Sequence, residues 1–435
     1  MHAIISVASL LAGIAIILAG NGLLGTVLGL RGQIEGIAPG QLGVIMSAYF
    51  AGFMAGTFWV PGLIRRVGHI RVFATMASVA SVTALLHGLL VDPVLWLLLR
   101  AVSGVCLVGV YISIESWLNA RVSNAQRGHV FSAYVTTTLM GLGVGQLLLM
   151  SADPAGLELF ALASVLLSLG LVPVAMTRVD QPALPVARRL GLRRLYEISP
   201  LGVVGSLCAG LAAGSFWGLA PVFASAVGLD TNGVALFMAM TILGGVLMLW
   251  PIGRLSDHYE RRRVLTLVCA CSALTAAVVA IVVELDIRFL MLAGLCWGAF
   301  GFSLYALSAA HTNDQVEAEH TLEVAASLQM IWAVGAIAGP IAAGALMQRL
   351  APEALMVFIA VSSLLPALFA LWRMRVRKAI PVEAQRDFVP LYSSAPVALQ
   401  LPDEDDSEGL CADLEPDEDE VVDAGDLDDP VRNGP

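Results

Sequence analysis

The chain has 435 residues, of which 58% are hydrophobic and only 13% are charged, and its mean hydropathy is +0.81. Soluble domains are roughly 45–50% apolar and about 25% charged, so this composition excludes a water-soluble globular class. The net charge of −10 has a local origin, because residues 401–435 hold fifteen acidic residues and one arginine, a balance of −14 that leaves +4 for residues 1–400. The body of the chain is therefore mildly basic.

Long apolar runs follow one another along the body of the chain, and about 20 apolar residues in a helix cross a bilayer core of about 30 Å. The first six runs lie near 3–30, 42–63, 70–91, 94–118, 129–151 and 156–177. Six more lie near 199–225, 231–252, 264–284, 288–310, 322–348 and 353–373. The first run lacks the basic flank and cleavage site of a signal peptide, so we expect it to be a retained span. The pattern predicts an all-α integral membrane protein with twelve transmembrane helices.

Arginines are concentrated in alternate connections between these runs. The connections rich in arginine are those after runs 2, 4, 6 and 8 and the segment after run 12, whereas the opposite connections hold only Arg31, Arg288 and Arg349. By the positive-inside rule, both termini and the central loop are expected in the cytoplasm. One inner connection, 311–321, departs from the pattern because it is acidic and contains no lysine or arginine. The chain has 23 arginines and one lysine, which indicates a GC-rich bacterial source and hence the bacterial inner membrane.

The two sets of six runs are related by an internal repeat. A shift of 194 residues superposes Gly20 on Gly214, Gly104 on Gly298, Tyr111 on Tyr305, Gly141 on Gly335 and Gly145 on Gly339, and a shift of 192 superposes 61–71 on 253–263. Two parallel halves of this kind place a binding site between them near the middle of the membrane. We expect an N-terminal bundle at 1–177, a central cytoplasmic loop at 178–198, a pseudo-symmetric C-terminal bundle at 199–378 and an acidic disordered cytoplasmic tail at 379–435.

The stretch 251–265, PIGRLSDHYERRRVL, concentrates charge between two apolar runs. It follows the pattern Gly-x-Leu-x-Asp with arginines after it, carried by Gly253, Leu255, Asp257, Arg261 and Arg262. This pattern resembles the loop signature of the major facilitator superfamily of secondary transporters. The resemblance extends over residues 1–378 in span number, orientation and repeat, and is greatest to a poorly characterised bacterial branch between sugar-like and drug-efflux-like members.

The signature is unequal in the two halves. His258 and Glu260 replace a basic residue and a glycine of the family pattern, and in the first half Arg65 stands at the aspartate position and Arg66 follows it. Arg100-x-x-x-Gly104 also resembles the Arg-centred motif of the family's fourth helix.

The resemblance implies that helices 1, 4, 7 and 10 line the substrate path, with contributions from helices 5 and 11. The candidate cavity residues are Asn21, Arg100, Tyr111, Gln146, Ser215, Trp217, Trp297, Tyr305 and Gln329. An arginine within a span is costly and marks a pathway or gate, although Arg100 can also snorkel to the nearby interface. The cargo stays open, because Arg100 allows an anion while the tryptophans and tyrosines suit sugars or aromatic drugs equally.

Glu115 has two interpretations. A desolvated carboxyl group has a raised pKa and can couple proton movement, or the carboxylate can pair with Arg65, Arg66 or Arg121 and lock the inward gate. We favour the lock. We expect Gly253, Asp257, Arg261 and Arg262 to act on the same cytoplasmic gate through a contact that one conformational state forms and the other breaks.

The function that these features predict is secondary active transport of a small molecule across the inner membrane, coupled to protons, by a monomer without cofactor or metal. The partners are the substrate, protons and the lipid bilayer, with no nucleic acid. One alternative is a transporter-like sensor that signals through the acidic tail. The other is an integral-membrane enzyme, but the spans lack metal-binding, nucleophile-elbow and Walker A patterns, so we expect no enzymatic activity.

Overall fold

The computed structural model describes residues 2–121, 124–176, 190–317 and 320–376, together with Gln385 and Phe388. Almost all of the predicted tail, 379–435, and residues 177–189 of the central segment lie outside the described residues. Within the described part of the chain all regular structure is helical, and no strand occurs.

The described part of the first half contains seven helices. They are α1 (His2–Ile34), α2 (Pro39–Val67), α3 (His69–Leu89), α4 (Pro93–Arg121), α5 (Asn124–Leu148), α6 (Glu158–Leu169) and α7 (Leu171–Ala175). A single 3₁₀ turn, Leu149–Ser151, follows α5, and α6 and α7 together form the sixth span.

The second half repeats this arrangement after a short additional helix. The helices are α8 (Leu192–Ile198), α9 (Pro200–Ala226), α10 (Thr231–His258), α11 (Arg261–Leu285), α12 (Leu290–Gly301), α13 (Leu304–Asn313), α14 (Thr321–Arg349) and α15 (Ala354–Val376). The tenth span comprises α12, α13 and the 3₁₀ turn before them. Part of 178–198, expected as a loop, is therefore the helix α8, which begins after Gly191 and buries Leu195.

Twelve spans among the described residues are long and apolar enough to cross a membrane, which confirms the predicted fold class. Their ends carry ordinary helix-start signals. Proline opens α2 and α9, where its missing N–H costs nothing. Asp230 caps α10 by accepting the backbone N–H of Gly233 at 2.9 Å.

Glycines bring paired helices into backbone contact, and they do so at equivalent places in the two halves. A methyl group built on Gly104 of α4 would overlap the Tyr49 carbonyl oxygen of α2, and one built on Gly298 of α12 would overlap the Thr241 carbonyl oxygen of α10. Small residues permit such close approach between membrane helices. The pseudo-symmetry is thus built into the packing of α2 on α4 and of α10 on α12.

The same contacts correct the alignment of spans 1 and 7. A methyl group on Gly22 would meet the Leu142 carbonyl oxygen, and one on Gly214 would meet the Ala336 carbonyl oxygen, so Gly22, not Gly20, is the equivalent of Gly214. Spans 1 and 2 therefore map onto spans 7 and 8 with a shift of 192. The shift changes to 194 further on because α11 is four residues longer than α3, while the connection after it is two residues shorter than the one after α3.

The two ends of the spans differ in how the halves meet. We call the end where α2 meets α3 and α10 meets α11 the basic end, and the opposite end the far end. Towards the far end Gln33 of α1 donates to the Val222 carbonyl oxygen of α9 at 3.0 Å. Gly43 of α2 lies against the Pro340 carbonyl oxygen of α14. Backbone-close contact between the halves is thus made near the far end.

We predict that Gly104→Ala destabilises the protein by about 1–3 kcal/mol, because the new methyl group meets backbone atoms that only a helix shift can move. Thermal unfolding of the purified protein in detergent would measure this as a lower Tm. Gly25→Ala is the matched control, since nothing lies within 4 Å of its added methyl group. An equal Tm for the two variants would contradict the packing argument.

Candidate substrate cavity and ion-pair network

A cavity lies between the two halves, near the middle of the spans. Its wall is largely aromatic: Tyr49, Phe50 and Phe53 come from α2, Tyr111 from α4, Trp217 from α9 and Trp332 from α14. Asn21, Thr26 and Arg100 supply the polar part of the wall. Four of the predicted cavity residues, Asn21, Arg100, Tyr111 and Trp217, thus meet here.

Arg100 lies two turns into α4 and is only 6% exposed. Its guanidinium carbon stacks over the Tyr49 ring, 4.6 Å from the ring centre. Its Nε and Nη1 atoms are buried without a hydrogen-bond partner among the described residues. The side chain therefore turns inward to the cavity wall and does not snorkel to the interface.

Two predicted glutamines hold helices in place beside the cavity. Gln146 of α5 donates to the Gly22 carbonyl oxygen of α1 at 3.2 Å, and its own carbonyl oxygen accepts the Thr26 hydroxyl. In the second half, Tyr305 donates to Gln329 at 3.2 Å. Neither glutamine is among the residues that line the cavity.

Ser215 and Trp297 lie in the packing of the second half. Ser215 is fully buried and its hydroxyl donates to the Leu211 carbonyl oxygen within the same helix. Trp297 is 2% exposed and packs on Phe216 with ring centres 4.6 Å apart. The structure therefore places these two predicted cavity residues behind the cavity wall.

Glu115 is 1% exposed and accepts a hydrogen bond from the Tyr134 hydroxyl at 3.0 Å. Tyr305, from the other half, is close enough to feel the Glu115 charge. Arg65 and Arg66 are exposed, and the described residues contain no ion pair that joins either of them to Glu115. The described contact of Glu115 is thus to its neighbouring helix α5 and not to the arginines at the end of α2.

The stretch 253–262 forms an ion-pair network at the basic end of the second half. Arg261 is 2% exposed and contacts Asp257 at 3.2 Å and Asp314 at 2.6 Å. Its Nε atom donates to the Ser256 hydroxyl at 2.9 Å. Arg262 pairs with Glu260 at 3.0 Å, beside a cavity of about 450 Å³. The network joins α10, α11 and the end of α13.

The C-terminal segment contacts the same network. The backbone N–H of Phe388 donates to Asp257 Oδ1 at 2.9 Å. A methyl group on Gly253 would lie 2.7 Å from the Phe388 ring, so the absence of a side chain at 253 leaves room for that ring. Gln385 contributes to the wall of the 450 Å³ cavity.

Comparison with known proteins identifies the family. The Major Facilitator Superfamily model matches residues 10–282 and 202–401. The chain belongs to the Major Facilitator Superfamily. It is therefore a multi-pass membrane protein and a secondary transporter.

Three known transporters resemble the chain over most of its length. It is 26% identical over 353 residues to the uncharacterized MFS-type transporter YcaD of Escherichia fergusonii, a match that covers 81% of this chain and 91% of the relative. The nucleoside transporter NupG superposes with a TM-score of 0.68 at 12% identity, over 86% of this chain and 100% of that one. A bacterial homologue of the human lysosomal transporter Spinster, inward-facing and occupied, gives a TM-score of 0.66 at 13% identity, over 87% and 97%. At these identities the two structures share the fold alone.

The structure places several residues at the cavity and at the ion-pair network that the sequence did not identify as candidates. Tyr49, Phe50 and Phe53 belong to α2, a helix outside the set expected to line the path, whereas Trp332 lies on the eleventh span, α14, from which only Gln329 was expected. Asp314 left a signal, because it belongs to the acidic connection 311–321 that departs from the positive-inside pattern. Its pairing with the buried Arg261 explains that departure.

We predict that Asp314→Asn costs about 3 kcal/mol of stability, because it removes one partner of a buried ion pair and leaves a buried guanidinium under-compensated. Thermal unfolding would report a Tm several degrees lower. The control is Glu197→Gln, which breaks the exposed Arg193–Glu197 pair and should leave the Tm unchanged. If both variants unfold at the wild-type temperature, the network contributes no stability.

We predict that Phe388→Pro, which removes the backbone N–H donor to Asp257, speeds tryptic cleavage after Arg386 several-fold. Phe388→Ala should have a smaller effect, since it keeps the N–H and loses only the ring contact with Gly253. Cleavage in the exposed helix α8, followed in the same digests by mass spectrometry, is the internal control. Unchanged rates after Arg386 in both variants would contradict a docked C-terminal segment.

Proposed function

We propose that this transporter moves a small molecule by alternating access, driven by a proton gradient. The observation that carries the proposal is the aromatic cavity between two pseudo-symmetric halves whose backbones meet closely towards the far end. In parallel-repeat transporters the halves rock about a central site. A cavity bounded in this way at the far end corresponds to a state that opens toward the basic end.

The orientation follows from the arginines. The positive-inside rule assigns the basic end to the cytoplasm, so the state is inward-facing, and both termini are cytoplasmic in a bacterial inner membrane. We assign residues 1–177 and 199–378 to the two rocking bundles and propose that one chain is the working unit. The Spinster homologue, itself inward-facing, has the same fold and supports this assignment.

Glu115 and the network around Arg261 are our candidates for the cytoplasmic gate. Glu115 is held by Tyr134 in its own half and lies within electrostatic range of Tyr305 of the other half, so its surroundings change when the halves move apart. Asp257 and Arg261 keep the basic end of the second half rigid through Asp314. The network lies within the second half and is therefore kept when the halves rock, whereas a contact between Glu115 and the other half can exist in only one state and then shifts the equilibrium between states by its own free energy.

One observation favours a second candidate function, a sensor that signals through its tail. The contact of Phe388 with Asp257 joins the C-terminal segment to the proposed gate. A chain that ends at Lys378 separates the two functions, because a transporter keeps its flux after the truncation and a sensor loses its output.

The transport function is tested by screening growth or toxicity of an overexpressing strain across compound classes, followed by flux of the resulting compound in proteoliposomes. We expect uptake or efflux that rises when a pH gradient is imposed. Flux that does not change with the pH gradient would contradict the proton coupling. The absence of any protein-dependent flux would contradict the transport function itself.

We predict that Glu115→Gln slows substrate exchange while retaining pH-driven accumulation, because we assign the carboxylate to the gate and not to the proton path. Tyr134→Phe, which removes the hydroxyl that donates to Glu115, should slow exchange less. Exchange and accumulation are measured in the same proteoliposome preparation. A Glu115→Gln protein with normal exchange and no pH-driven accumulation would reverse the assignment and make Glu115 the proton carrier.

A further inference from the structure

The central cavity has an unbalanced charge. Among the residues that line it, Arg100 is charged and none is acidic. A histidine ring is neutral or cationic, so His87, whose Nδ1 contacts the Thr83 carbonyl oxygen at 2.6 Å, supplies no negative charge to Arg100. The described wall of the cavity therefore carries one positive charge.

No ion pair among the described residues joins a carboxylate to Arg100. Glu115, on the same helix, is fifteen positions from Arg100, which is about 22 Å at 1.5 Å per residue. Asp257 and Asp314 are engaged with Arg261 at the basic end. An arginine stays protonated in proteins, and a buried charge without a partner is strongly disfavoured. The position thus suits an anionic group that arrives with the ligand.

The geometry of Arg100 is suited to hold such a group. Stacking on Tyr49 fixes the guanidinium plane, and Nε and Nη1 remain available as donors. A planar guanidinium with free donors binds a carboxylate in a forked arrangement. The Asn21 amide, which also lines the cavity, approaches the Tyr49 hydroxyl and adds a neutral polar group beside the arginine.

The rest of the wall defines the remainder of the ligand. Phe50, Phe53, Trp217 and Trp332 line the same cavity with apolar rings, and such surfaces accept an apolar body. The free space is about 80 Å³ in this state, which is enough for a few non-hydrogen atoms beyond the carboxylate. A single arginine balances one negative charge.

We propose that the cavity binds a small organic monocarboxylate with an apolar body, and that Arg100 is the residue that selects the anion. The proposal rests on the transport function above and names its substrate class. Arg100 contacts the carboxylate, and the aromatic wall contacts the hydrocarbon part.

The test is binding to the purified full-length protein, measured by calorimetry and by the ligand-induced rise in Tm. The probes are butyrate and benzoate, each compared with its neutral amide and with the corresponding amine, butylamine or benzylamine. We expect the wild type to bind at least one acid and to bind its amide and amine at least tenfold more weakly, because a hydrogen bond to a charged group is lost.

Variants decide whether Arg100 is responsible. Arg100→Gln should weaken binding of the acid about 10- to 100-fold and abolish the preference over the amide. Arg100→Lys should retain part of the preference, since it keeps the charge and loses the fork. Arg254→Gln is the matched control, because Arg254 also stacks over an aromatic ring, Trp250, but is exposed away from the cavity.

The proposal is contradicted if the wild type binds neither acid, or if it binds the amide or the amine with the same affinity as the acid. It is also contradicted if the Arg100→Gln protein keeps the preference for the acid. Counterflow of the bound acid in proteoliposomes is measured separately. Arg100-dependent binding without counterflow would leave the anion site standing and contradict transport of that acid. If a neutral compound shows counterflow and the Arg100→Gln variant transports it equally well, the transport function stands and the anionic substrate is contradicted.

Discussion

The compensation of buried charge is the constraint on which the assignment of roles in this protein depends. Arg100, Glu115 and Arg261 are buried in a body that is otherwise apolar, and each is handled in a different way. Arg261 is neutralised within one half by two carboxylates, Glu115 accepts a tyrosine hydroxyl, and Arg100 has an aromatic ring beneath it and free donors above. Breaking a compensated buried pair is strongly destabilising, whereas the buried Arg100, which has no paired carboxylate among the described residues, marks a ligand pathway.

Close helix packing through glycine explains why so polar a side chain can be held in a fixed place. Gly104 lies on the Tyr49 carbonyl oxygen one turn from Arg100 along α4, so the backbone of α2 is fixed next to the arginine. That contact brings the Tyr49 ring beneath the guanidinium group. In the second half the equivalent contact is that of Gly298 with Thr241. The residue four positions before Gly298 is Gly294, whereas the residue four positions before Gly104 is Arg100, so the second contact has no arginine beside it. The two halves therefore share the glycine-mediated helix contact and differ in the side chain that stands one turn before it.

The sequence was sufficient for the fold because the bilayer imposes one length and one polarity on every span. Hydropathy located all twelve spans, and the rarity of charge within spans singled out Arg100 and Glu115. Their partners could not be predicted. Which ring lies under Arg100, and whether Glu115 meets an arginine or a tyrosine, depend on helix rotation, which hydropathy does not determine. The predicted alignment of span 1 with span 7 was wrong for a related reason. Glycines are frequent enough for two alignments to match, and only the helix packing shows which one is correct.

Helix α2 connects the parts of the proposed mechanism. Three contacts with α14 follow one another along α2. Gly43 lies against the α14 backbone at the far end, and Phe50 contacts Trp332 near the middle with ring centres 5.9 Å apart. Further along, the Thr57 hydroxyl lies 3.7 Å from the sulfur of Met330. A ligand in the cavity touches the middle of this series, between a contact that closes the far end and one nearer the basic end. Opening the far end requires Gly43 to leave the α14 backbone, and the Phe50–Trp332 contact must then change with it. Under the proposed mechanism, binding at Arg100 acts on the interface that rocking has to break, which is the physical requirement for a substrate to influence the equilibrium between the two states.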